Sequence, residues 1–288
     1  MKISLIVPVY NRLEHFRAQF KCLLKQEVLP YEVIITDDGS KENILDYIED
    51  LLPQAKFKVK HVFQEDKGFR KTRALNNGVK ASEGDFLVFC DQDLVFGTDY
   101  IKVVKENANE KEFIHFRPIN LTQEERDRFI DNQKNINFSY KKFVEGLPKE
   151  YTLSVNKTLK KDSIRRVLYR LGLRKRGIKL VGMSYGVSKK NYLKVNGYDE
   201  KYQGWGYEDD DFGNRLYAAG IIGREGRTEE IQLHLWHHMD PTKKKSQNED
   251  YYAKRREEVL GRKEYFCEYG YNNSYEDDKV VVKMLKEV

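Results

Sequence analysis

Four short apolar runs alternate with amphipathic stretches over the first hundred residues. The runs are ISLIVPVY (3–10), YEVIITDD (31–38), FKVKHVF (57–63) and DFLVFCDQD (85–93). They are rich in Val, Ile and Phe and predict β-strands. Between them, apolar residues recur at helical spacing in 12–26, 41–52 and 69–81. Such alternation favours the α/β class, with a mostly parallel, twisted sheet and helices on both faces.

Polar clusters follow three of the predicted strands. They are YNR (10–12), DDGS (37–40) and DQD (91–93). Because ligands of open parallel sheets bind beyond the carboxyl ends of the strands, we expect these clusters to line one binding crevice.

The strand and helix alternation stops near residue 99. Residues 99–180 are charged and have few strand signals, then a strand-like segment covers 231–240. The tail 241–288 is rich in Lys, Glu and Tyr, and we expect it to be helical. We therefore place divisions near residues 98 and 240.

The segment 157–179 contains ten Lys or Arg residues and one Asp. Its apolar residues form a narrow helical stripe of Ile164, Val167, Leu168 and Leu171. This pattern predicts a helix that lies on an anionic membrane surface. The alternative is an ordinary surface helix whose stripe packs on the domain. Nucleic acid is not an expected partner, since no known reader motif accompanies the charge.

Composition describes a globular protein of 288 residues, 40% of them hydrophobic, with a net charge of +6. This charge suits a polyanionic ligand, a nucleic acid or an anionic membrane without choosing among them. Three widely spaced cysteines indicate neither a disulfide framework nor a zinc site, so a reducing compartment is expected. The N-terminal run contains Pro8 and lacks a cleavage site, and it predicts a first strand. No segment approaches about 18 apolar residues, so we expect a cytoplasmic protein, peripheral on the inner face of the membrane if it binds one.

Asp91 and Asp93 lie two residues apart at the end of an apolar run. On an extended segment both carboxylates would point to the same face. A divalent ion that joins them to a diphosphate would offset the cost of burying them. The alternative is a turn that ends the strand.

Further charged residues stand near the predicted crevice. Asp37 and Asp38 are candidates to accept hydrogen bonds from a nucleobase or ribose, or else to form an Asp-Gly turn before the next helix. Four basic residues stand near a helix start: Lys67, Arg70, Lys71 and Arg73. They are candidates for phosphate contacts, or else form a solvated basic face.

The segment HLWHH places His234, His237 and His238 close together. On a strand His234 and His238 would share a face, whereas in a turn His234 and His237 would converge. Histidine ligands would favour Mn²⁺ over Mg²⁺.

GWGYEDDDFGNRL (204–216) contains four consecutive acids, from Glu208 to Asp211. Acids favour the N-terminal end of a helix, which accounts for some of this charge. Four together repel one another, so we expect some of them to meet a cation, a base or a substrate hydroxyl.

Six motifs, in this order, resemble the family 2 glycosyltransferases with the GT-A fold. They are ISLIVPVYNR, VIITDDGS, GFRKTRALNNG, FLVFCDQD, NGYDEKYQGWGYEDDDFGNRL and HLWHH. The last two resemble more narrowly the galactosyl- and N-acetylgalactosaminyltransferases, including chondroitin-type polymerases and animal β-1,4-galactosyltransferases. The resemblance covers about 1–105 and 180–240.

The resemblance implies a nucleotide-sugar-binding half (1–98) and an acceptor-binding half (99–240), with 157–179 as an insertion. We assign nine residues to the nucleotide site: Pro8, Tyr10, Arg12, Asp37, Asp38, Lys67, Arg73, Asp91 and Gln92. We assign four to the metal, expected to be Mn²⁺ with Mg²⁺ as the alternative: Asp91, Asp93, His234 and His237. His234 departs from the β-1,4-galactosyltransferase pattern, which has a methionine there.

The resemblance also implies the reaction. Asp209 would be the general base, Glu208 would fix another acceptor hydroxyl, and Trp205 would offer an aromatic face to a sugar ring. A hexose or N-acetylhexosamine would pass, with inversion to a β-linkage, from a UDP-sugar of the UDP-Gal, UDP-GalNAc or UDP-GlcNAc type. The acceptor would be a sugar hydroxyl of a surface glycan or lipid-linked saccharide.

Two other classes of protein remain as alternatives to a glycosyltransferase. A catalytically inactive sugar-nucleotide-binding protein would lose the acceptor base, yet Asp209 is present. A nucleotidyltransferase would carry a Gly-rich basic loop after its first strand, where this chain has PVYNR.

Overall fold

The computed structural model describes residues 1–238, 246–277 and 279–288. Its strands are β1 (Ile3–Val9), β2 (Glu32–Asp37), β3 (Lys58–Gln64), β4 (Phe86–Cys90), β5 (Leu94–Val95), β6 (Glu112–His115), β7 (Ile119–Asn120), β8 (Ser184–Ser188), β9 (Ile222–Glu225), β10 (Leu233–His234) and β11 (Val280–Lys286). Its helices are α1 (Leu13–Leu24), α2 (Leu45–Ile48), α3 (Lys71–Ala81), α4 (Tyr100–Asn107), α5 (Gln123–Asn132), α6 (Tyr140–Glu145), α7 (Lys149–Arg170), α8 (Lys189–Lys194), α9 (Glu208–Ala218) and α10 (Glu249–Arg262). A 3-10 turn spans Leu52–Gln54.

Within these described residues, eight strands form the central sheet in the order β11-β3-β2-β1-β4-β8-β6-β9. Strands β3, β2, β1 and β4 are parallel neighbours, and β9 is parallel to β6. Strand β8 runs antiparallel to β4 and β6, and β11 runs antiparallel to β3. A small second sheet has the order β5-β10-β7. The predicted α/β class with a mostly parallel central sheet is confirmed.

The central strands are apolar throughout because both faces of the sheet are covered. In β1, Leu5 and Val7 belong to one core and the intervening Ile6 to the other, as the alternation of a strand requires. Helices α1 and α4 pack on the first face, and α3 and α9 pack on the second. The sheet is therefore fixed between two apolar layers, and its carboxyl edge is the part left open.

The predicted elements of the first hundred residues agree with the structure to within a few residues, apart from the helix over 41–52. That segment contains only the short helix α2 and the 3-10 turn. Pro53 lies in the turn, where it has no amide hydrogen to continue a helix.

Residues 99–180, which have few strand signals, supply the short strands β6 and β7. The expectation of a helical tail was wrong. Among the described residues of the tail the helix is α10, and β11 pairs with β3 at the sheet edge. Its sequence VVVKMLK is rich in β-branched valine, and the backbone groups of β3 would otherwise be unpaired there. The strand predicted over 231–240 is two residues long, and its positions 239–240 lie outside the described residues.

No helix among the described residues combines the length and the apolar character needed to span a bilayer.

The buried side chain of Arg215 joins helix α9 to the chain that follows α8. The Arg215 side chain is fully buried, and its Nε donates to Asp211 Oδ2 at 2.6 Å. Its Nη1 donates to the carbonyl oxygens of Val195 and Gly197 at 2.8 and 2.7 Å. One guanidinium thus satisfies three acceptors and holds the helix whose first turn contains Glu208 and Asp209.

We expect Arg215→Ala to lower the free energy of unfolding by about 3–5 kcal/mol, because it leaves the Asp211 carboxylate buried without its cation. Arg215→Lys should recover little of this loss, since one ammonium cannot reproduce the fork of donors. Urea unfolding measures both. The matched control is Lys134→Ala, whose ion pair with Asp131 is 71% exposed on each side and whose loss should cost less than about 1 kcal/mol. Equal effects at both positions would contradict this account of α9.

Candidate functional site

A cleft of about 1080 Å³ lies at the carboxyl ends of β1 and β4. It brings together twelve of the residues that the sequence assigned to a site: Pro8, Tyr10, Arg12, Asp38, Asp91, Gln92, Asp93, Trp205, Glu208, Asp209, His234 and His237. Asp37, Lys67 and Arg73 are not among the described residues that line it.

The chain leaves β1 in an unusual conformation, with Asn11 and Arg12 at φ values of 51° and 52°. The side chain of Gln92 holds this turn by two hydrogen bonds. Its Oε1 accepts from the Tyr10 amide at 3.0 Å, and its Nε2 donates to the Asn11 carbonyl at 2.8 Å. Non-glycine residues in the left-handed region cost free energy and persist only where the surroundings hold them. Gln92 therefore acts on the cleft by fixing the positions of Tyr10 and Arg12.

Asp38 lies at the same end of the cleft and is 6% exposed. Its carboxylate accepts from the Arg70 amide at 2.7 Å and from Gln64 Nε2 at 2.6 Å. Burial nevertheless raises the pKa of Asp38 to about 6. An acid held this way is well placed to take a further donor from a ligand in the cleft.

The neighbouring Asp37 has a different environment. It is 2% exposed, accepts from the Ser40 amide at 2.8 Å, and lies 3.0 Å from His61 Nε2. Of the two predicted roles, these contacts fit the one in which Asp37 forms the turn of the DDGS segment.

The basic residues of the DKGFRKTRALNNG segment (66–78) occupy different environments. Arg73 is 4% exposed and contacts Glu200 and the Glu276 carbonyl, which joins α3 to the tail. Lys67 is exposed and outside the cleft lining. Lys71 instead reaches the cleft, where its Nζ donates to Asp91 Oδ1 at 2.7 Å.

Lys71 is a residue that the site assignment missed. Burial opposes its charge, but the carboxylates of Asp91, Asp209 and Glu208 raise the pKa of Lys71 above its ordinary value. It therefore places a positive charge among the acids of the cleft. The sequence signal was its spacing of three from Ala74, which puts both residues on the face of α3 that borders the cleft.

The two acids of the DQD segment do not share one extended face. The strand ends at Cys90, and the Leu94 amide donates to the Asp91 carbonyl at 3.1 Å, which closes a turn. The Asp91 carboxylate consequently pairs with Lys71, and the Asp93 carboxylate turns toward the histidines. The expectation of two same-facing carboxylates on a strand was wrong because the segment is a turn.

Asp93, His234 and His237 form a cluster whose potential ligand atoms all lie within 4.8 Å of one another. His234 Nε2 is 3.4 Å from Asp93 Oδ1, and His237 Nε2 is 3.3 Å from Asp93 Oδ2. The pairing of β10 with β5 sets His234 opposite Leu94, next to the aspartate. His238 is exposed and packs against Trp236. Of the open alternatives, the structure has the turn in which His234 and His237 converge.

This cluster fits a divalent cation. Asp93 is 5% exposed, and its Oδ1 has no hydrogen-bond partner among the described residues. A buried carboxylate oxygen without a donor is costly unless a cation meets it. One carboxylate with two imidazole nitrogens is a mixed oxygen and nitrogen ligand set for a divalent metal ion.

One wall of the cleft is built by the GWG turn that precedes α9. Gly204, Gly206 and Tyr207 have φ values of 71°, 109° and 74°, so the chain enters the helix through a tight left-handed turn. The Gly206 amide donates to Glu208 Oε2 at 3.0 Å. Trp205, at the tip of this turn, is 42% exposed in the cleft.

Asp209 lies against the loop before β8. Its Oδ1 accepts from Tyr198 Oη at 2.8 Å, and Tyr185 Oη lies 2.8 Å from Tyr198 Oη. A Cβ atom at position 182 would come within 2.0 Å of Asp209 Oδ1, so Gly182 is the residue that leaves room for this carboxylate. The sequence analysis identified neither Tyr198 nor Gly182.

The remaining acids of the run are neutralised by basic partners. Asp210 borders the cleft but pairs with Arg176 at 2.6 Å and accepts from Tyr252, and Asp211 pairs with Arg215. The four consecutive acids therefore divide into two pairs, of which Glu208 and Asp209 face the cleft.

Comparison with known proteins defines the class. Residues 4–168 match the model of glycosyl transferase family 2, and residues 163–237 match a model described as the N-terminal domain of galactosyltransferase. The chain belongs to glycosyltransferase family 2.

Among its curated relatives are two chondroitin synthases. That of Pasteurella multocida (strain Pm70) is 26% identical over 259 residues, covering 86% of this chain and 26% of the relative. That of Escherichia coli is 24% identical over 261 residues, covering 86% of this chain and 36% of the relative. The chain thus spans about a quarter to a third of these longer proteins.

Solved structures establish the GT-A fold. Residues 1–349 of S. aureus TarS, in complex with UDP-GlcNAc, superpose with a TM-score of 0.61 at 15% identity, covering 94% of this chain and 69% of that chain. The catalytic domain of Drosophila β1,4-galactosyltransferase 7, in complex with xylobiose, has a TM-score of 0.52 at 15% identity, covering 100% of this chain and 94% of that chain.

The environment of Glu208 predicts a pH-dependent stability. Burial, followed by the neighbouring charge of Asp209, raises the pKa of Glu208 from its ordinary 4.5 to about 7. Between these values the folded protein holds a proton that the unfolded chain has lost, so this group lowers stability as pH rises from 4.5 through 7. Glu208→Gln should match the parent at pH 4 and exceed its unfolding free energy by up to about 3 kcal/mol at pH 8.

Urea unfolding of the metal-free protein at several pH values measures this difference. Asp250→Asn, on the exposed face of α10, is the control and should show no pH-dependent gain. A constant offset between Glu208→Gln and the parent at all pH values would show that burial does not perturb this carboxyl.

Proposed function

We propose that the protein is an inverting glycosyltransferase that moves a hexose or N-acetylhexosamine from a UDP-sugar to a sugar hydroxyl. The observation that carries the proposal is that one cleft contains Asp38, the Asp93–His234–His237 cluster and the Glu208–Asp209 pair. The proposed acceptor is a surface glycan or lipid-linked saccharide. The chondroitin synthases and the UDP-GlcNAc complex of TarS support this donor class.

The donor would occupy the end of the cleft at β1 and β4. Asp38 would accept from the nucleoside, and Tyr10 would lie beside it on the turn held by Gln92. Lys71 stands between Asp91 and the acceptor-side acids, where its charge favours the phosphates or sugar of a bound donor.

The metal would be held by Asp93, His234 and His237, and we propose Mn²⁺ because two imidazoles are present. A bound divalent ion supplies positive charge that stabilises the departing diphosphate. The residues of this chain contribute its position, because the turn at 91–94 and the short strand β10 fix the three side chains.

Asp209 would be the general base. Tyr198 donates to Oδ1 and orients the carboxylate, and Oδ2 would take the proton of the acceptor hydroxyl. The hydroxyl oxygen then attacks the anomeric carbon as the bond from that carbon to the UDP oxygen breaks, and UDP leaves. One displacement of this kind converts an α-linked donor into a β-linked product. Glu208 would bind a second hydroxyl of the acceptor, and Trp205 would support its ring.

The test is incubation with UDP-Gal, UDP-GalNAc and UDP-GlcNAc in turn, with a panel of saccharide acceptors. Release of UDP that requires an acceptor is the expected result. Pyrophosphate release would identify a nucleotidyltransferase instead, and UDP binding with neither product would identify an inactive binding protein.

Asp209→Asn should lower turnover by at least about a hundredfold, the usual contribution of a positioned base, while UDP affinity stays within twofold. The reason is that Asp209 acts on the acceptor side of the cleft. UDP release and calorimetric UDP binding measure the two effects. The adjacent Asp210→Asn is the control and should keep turnover within about tenfold, because Arg176 and Tyr252 already occupy its carboxylate. Loss of UDP binding in Asp209→Asn would place this residue in the nucleotide site.

Turnover should require a divalent ion, with Mn²⁺ most effective, and Asp93→Ala should abolish it. His237→Ala should raise the Mn²⁺ concentration for half-maximal activity at least about tenfold, because it removes a nitrogen ligand. His238→Ala is the matched control, since its ring lies outside the cluster, and it should leave the Mn²⁺ requirement unchanged. Full activity in excess EDTA would exclude a metal-dependent reaction.

A further inference from the structure

The outer face of helix α7 exposes a row of large apolar side chains. Leu153, Ile164, Val167 and Leu171 are 65%, 52%, 54% and 66% exposed. Their numbers fit a repeat of alternating three- and four-residue steps, so they lie along one face of the helix. The predicted alternative, in which the stripe packs on the domain, does not hold for Ile164, Val167 and Leu171, whereas Leu168, the fourth residue of the predicted stripe, is half-buried.

The opposite face attaches α7 to the domain. Val155 and Leu159 are 8% and 5% exposed, and Arg166 pairs with Glu112 on β6. Asp162 is 1% exposed and accepts from Arg117 Nε at 2.7 Å. These residues recur at steps of four, three and four on the side opposite the apolar row. The helix is therefore held firmly while its other face remains in solvent.

The burial of Asp162 changes the charge of this surface. It is the single acid of 157–179, so the acid is withdrawn from solvent and the exposed charges of the segment are positive. Lys157 and Lys160 fall within the apolar row, and Lys161 lies beside it. Within the described residues these three lysines form no ion pair.

We propose that this outer face of α7 docks on an anionic membrane surface. The lysines would contact lipid headgroups, and the apolar row would enter the boundary between headgroups and acyl chains. A nucleic acid or another polyanion would pair with the lysines but leave Ile164, Val167 and Leu171 in water. A second copy of the chain would bring like charges together. A bilayer surface is the partner that would contact both the lysines and the apolar row.

The docking face leads directly into the acceptor side of the cleft. After α7, Arg176 pairs with Asp210 of α9, and residues 179–183 line the cleft, with Gly182 against Asp209. Because Leu171 and Lys179 are eight residues apart in the chain, docking would keep this wall within about 30 Å of the headgroups, where the saccharide of a lipid-linked acceptor stands. This consequence rests on the proposed function, whereas the docking itself does not.

Co-sedimentation of the full chain with vesicles tests the proposal. The protein should pellet with vesicles of phosphatidylcholine mixed with phosphatidylglycerol and stay in solution with phosphatidylcholine alone. Rising salt should release it, because the headgroup attraction is screened. Failure to pellet with the anionic vesicles at low salt would overturn the proposal, and so would equal pelleting with both kinds.

The apolar row is tested by combining Ile164→Ser, Val167→Ser and Leu171→Ser. We expect the affinity for anionic vesicles to fall at least about tenfold, because the contact with the acyl boundary is lost. Ile136→Ser is the matched control, since this residue is 92% exposed elsewhere on the protein, and it should change nothing.

The basic residues are tested by combining Lys157→Gln, Lys160→Gln and Lys161→Gln, which should also weaken binding at least about tenfold. Lys134→Gln, at a lysine 71% exposed elsewhere, is the control. Weaker binding in the lysine variant with no change in the serine variant would contradict docking on a bilayer and indicate a polyanion, which nucleic acid competition would then identify. Both variants should keep UDP release with a soluble acceptor, so loss of docking is distinguishable from failure of the proposed reaction.

Discussion

The concentration of carboxylates at the carboxyl edge of the sheet is the constraint on which the cleft depends. Asp38, Asp91, Asp93, Glu208 and Asp209 all border one cavity, and burial raises the pKa of three of them, Asp38, Asp91 and Glu208. A cavity of this kind is stable only if each acid has a donor or a cation nearby. The donors and cations around the cleft lie where these acids need them.

The five acids of the cleft have different partners. Asp38 is held by two hydrogen-bond donors, and Asp91 is paired with Lys71. Asp93 faces two histidines and retains an oxygen without a donor, which is the environment of a metal ligand. Asp209 borders the cleft, and its Oδ1 accepts from Tyr198.

Buried polar side chains hold the segments that carry these groups. Arg215 anchors the helix that contains Glu208 and Asp209, and Gln92 fixes the strained turn at the end of β1. Helix α7 is held through the buried pair of Arg117 and Asp162. In each case a buried polar side chain fixes a segment of the chain that borders the cleft or the solvent.

The pattern of apolar residues was sufficient to predict the strands and most helices of the first hundred residues. Both faces of their sheet are buried, and apolar residues recur along the chain at the spacing of the buried positions. The order of motifs was sufficient to predict the family, and twelve of the residues assigned to a site line the cleft. Residue type alone did not distinguish Lys71 from Arg73. The two side chains point in different directions around helix α3, so that Lys71 reaches the cleft and Arg73 joins α3 to the tail. Residue type also did not show that 91–93 is a turn, that β11 completes the sheet edge, or that Asp162 is buried. Sequence by itself determined which chemical groups are present and which segments are apolar on one face. Only the tertiary structure decided which charges meet, because pairing depends on distances between residues far apart in the chain.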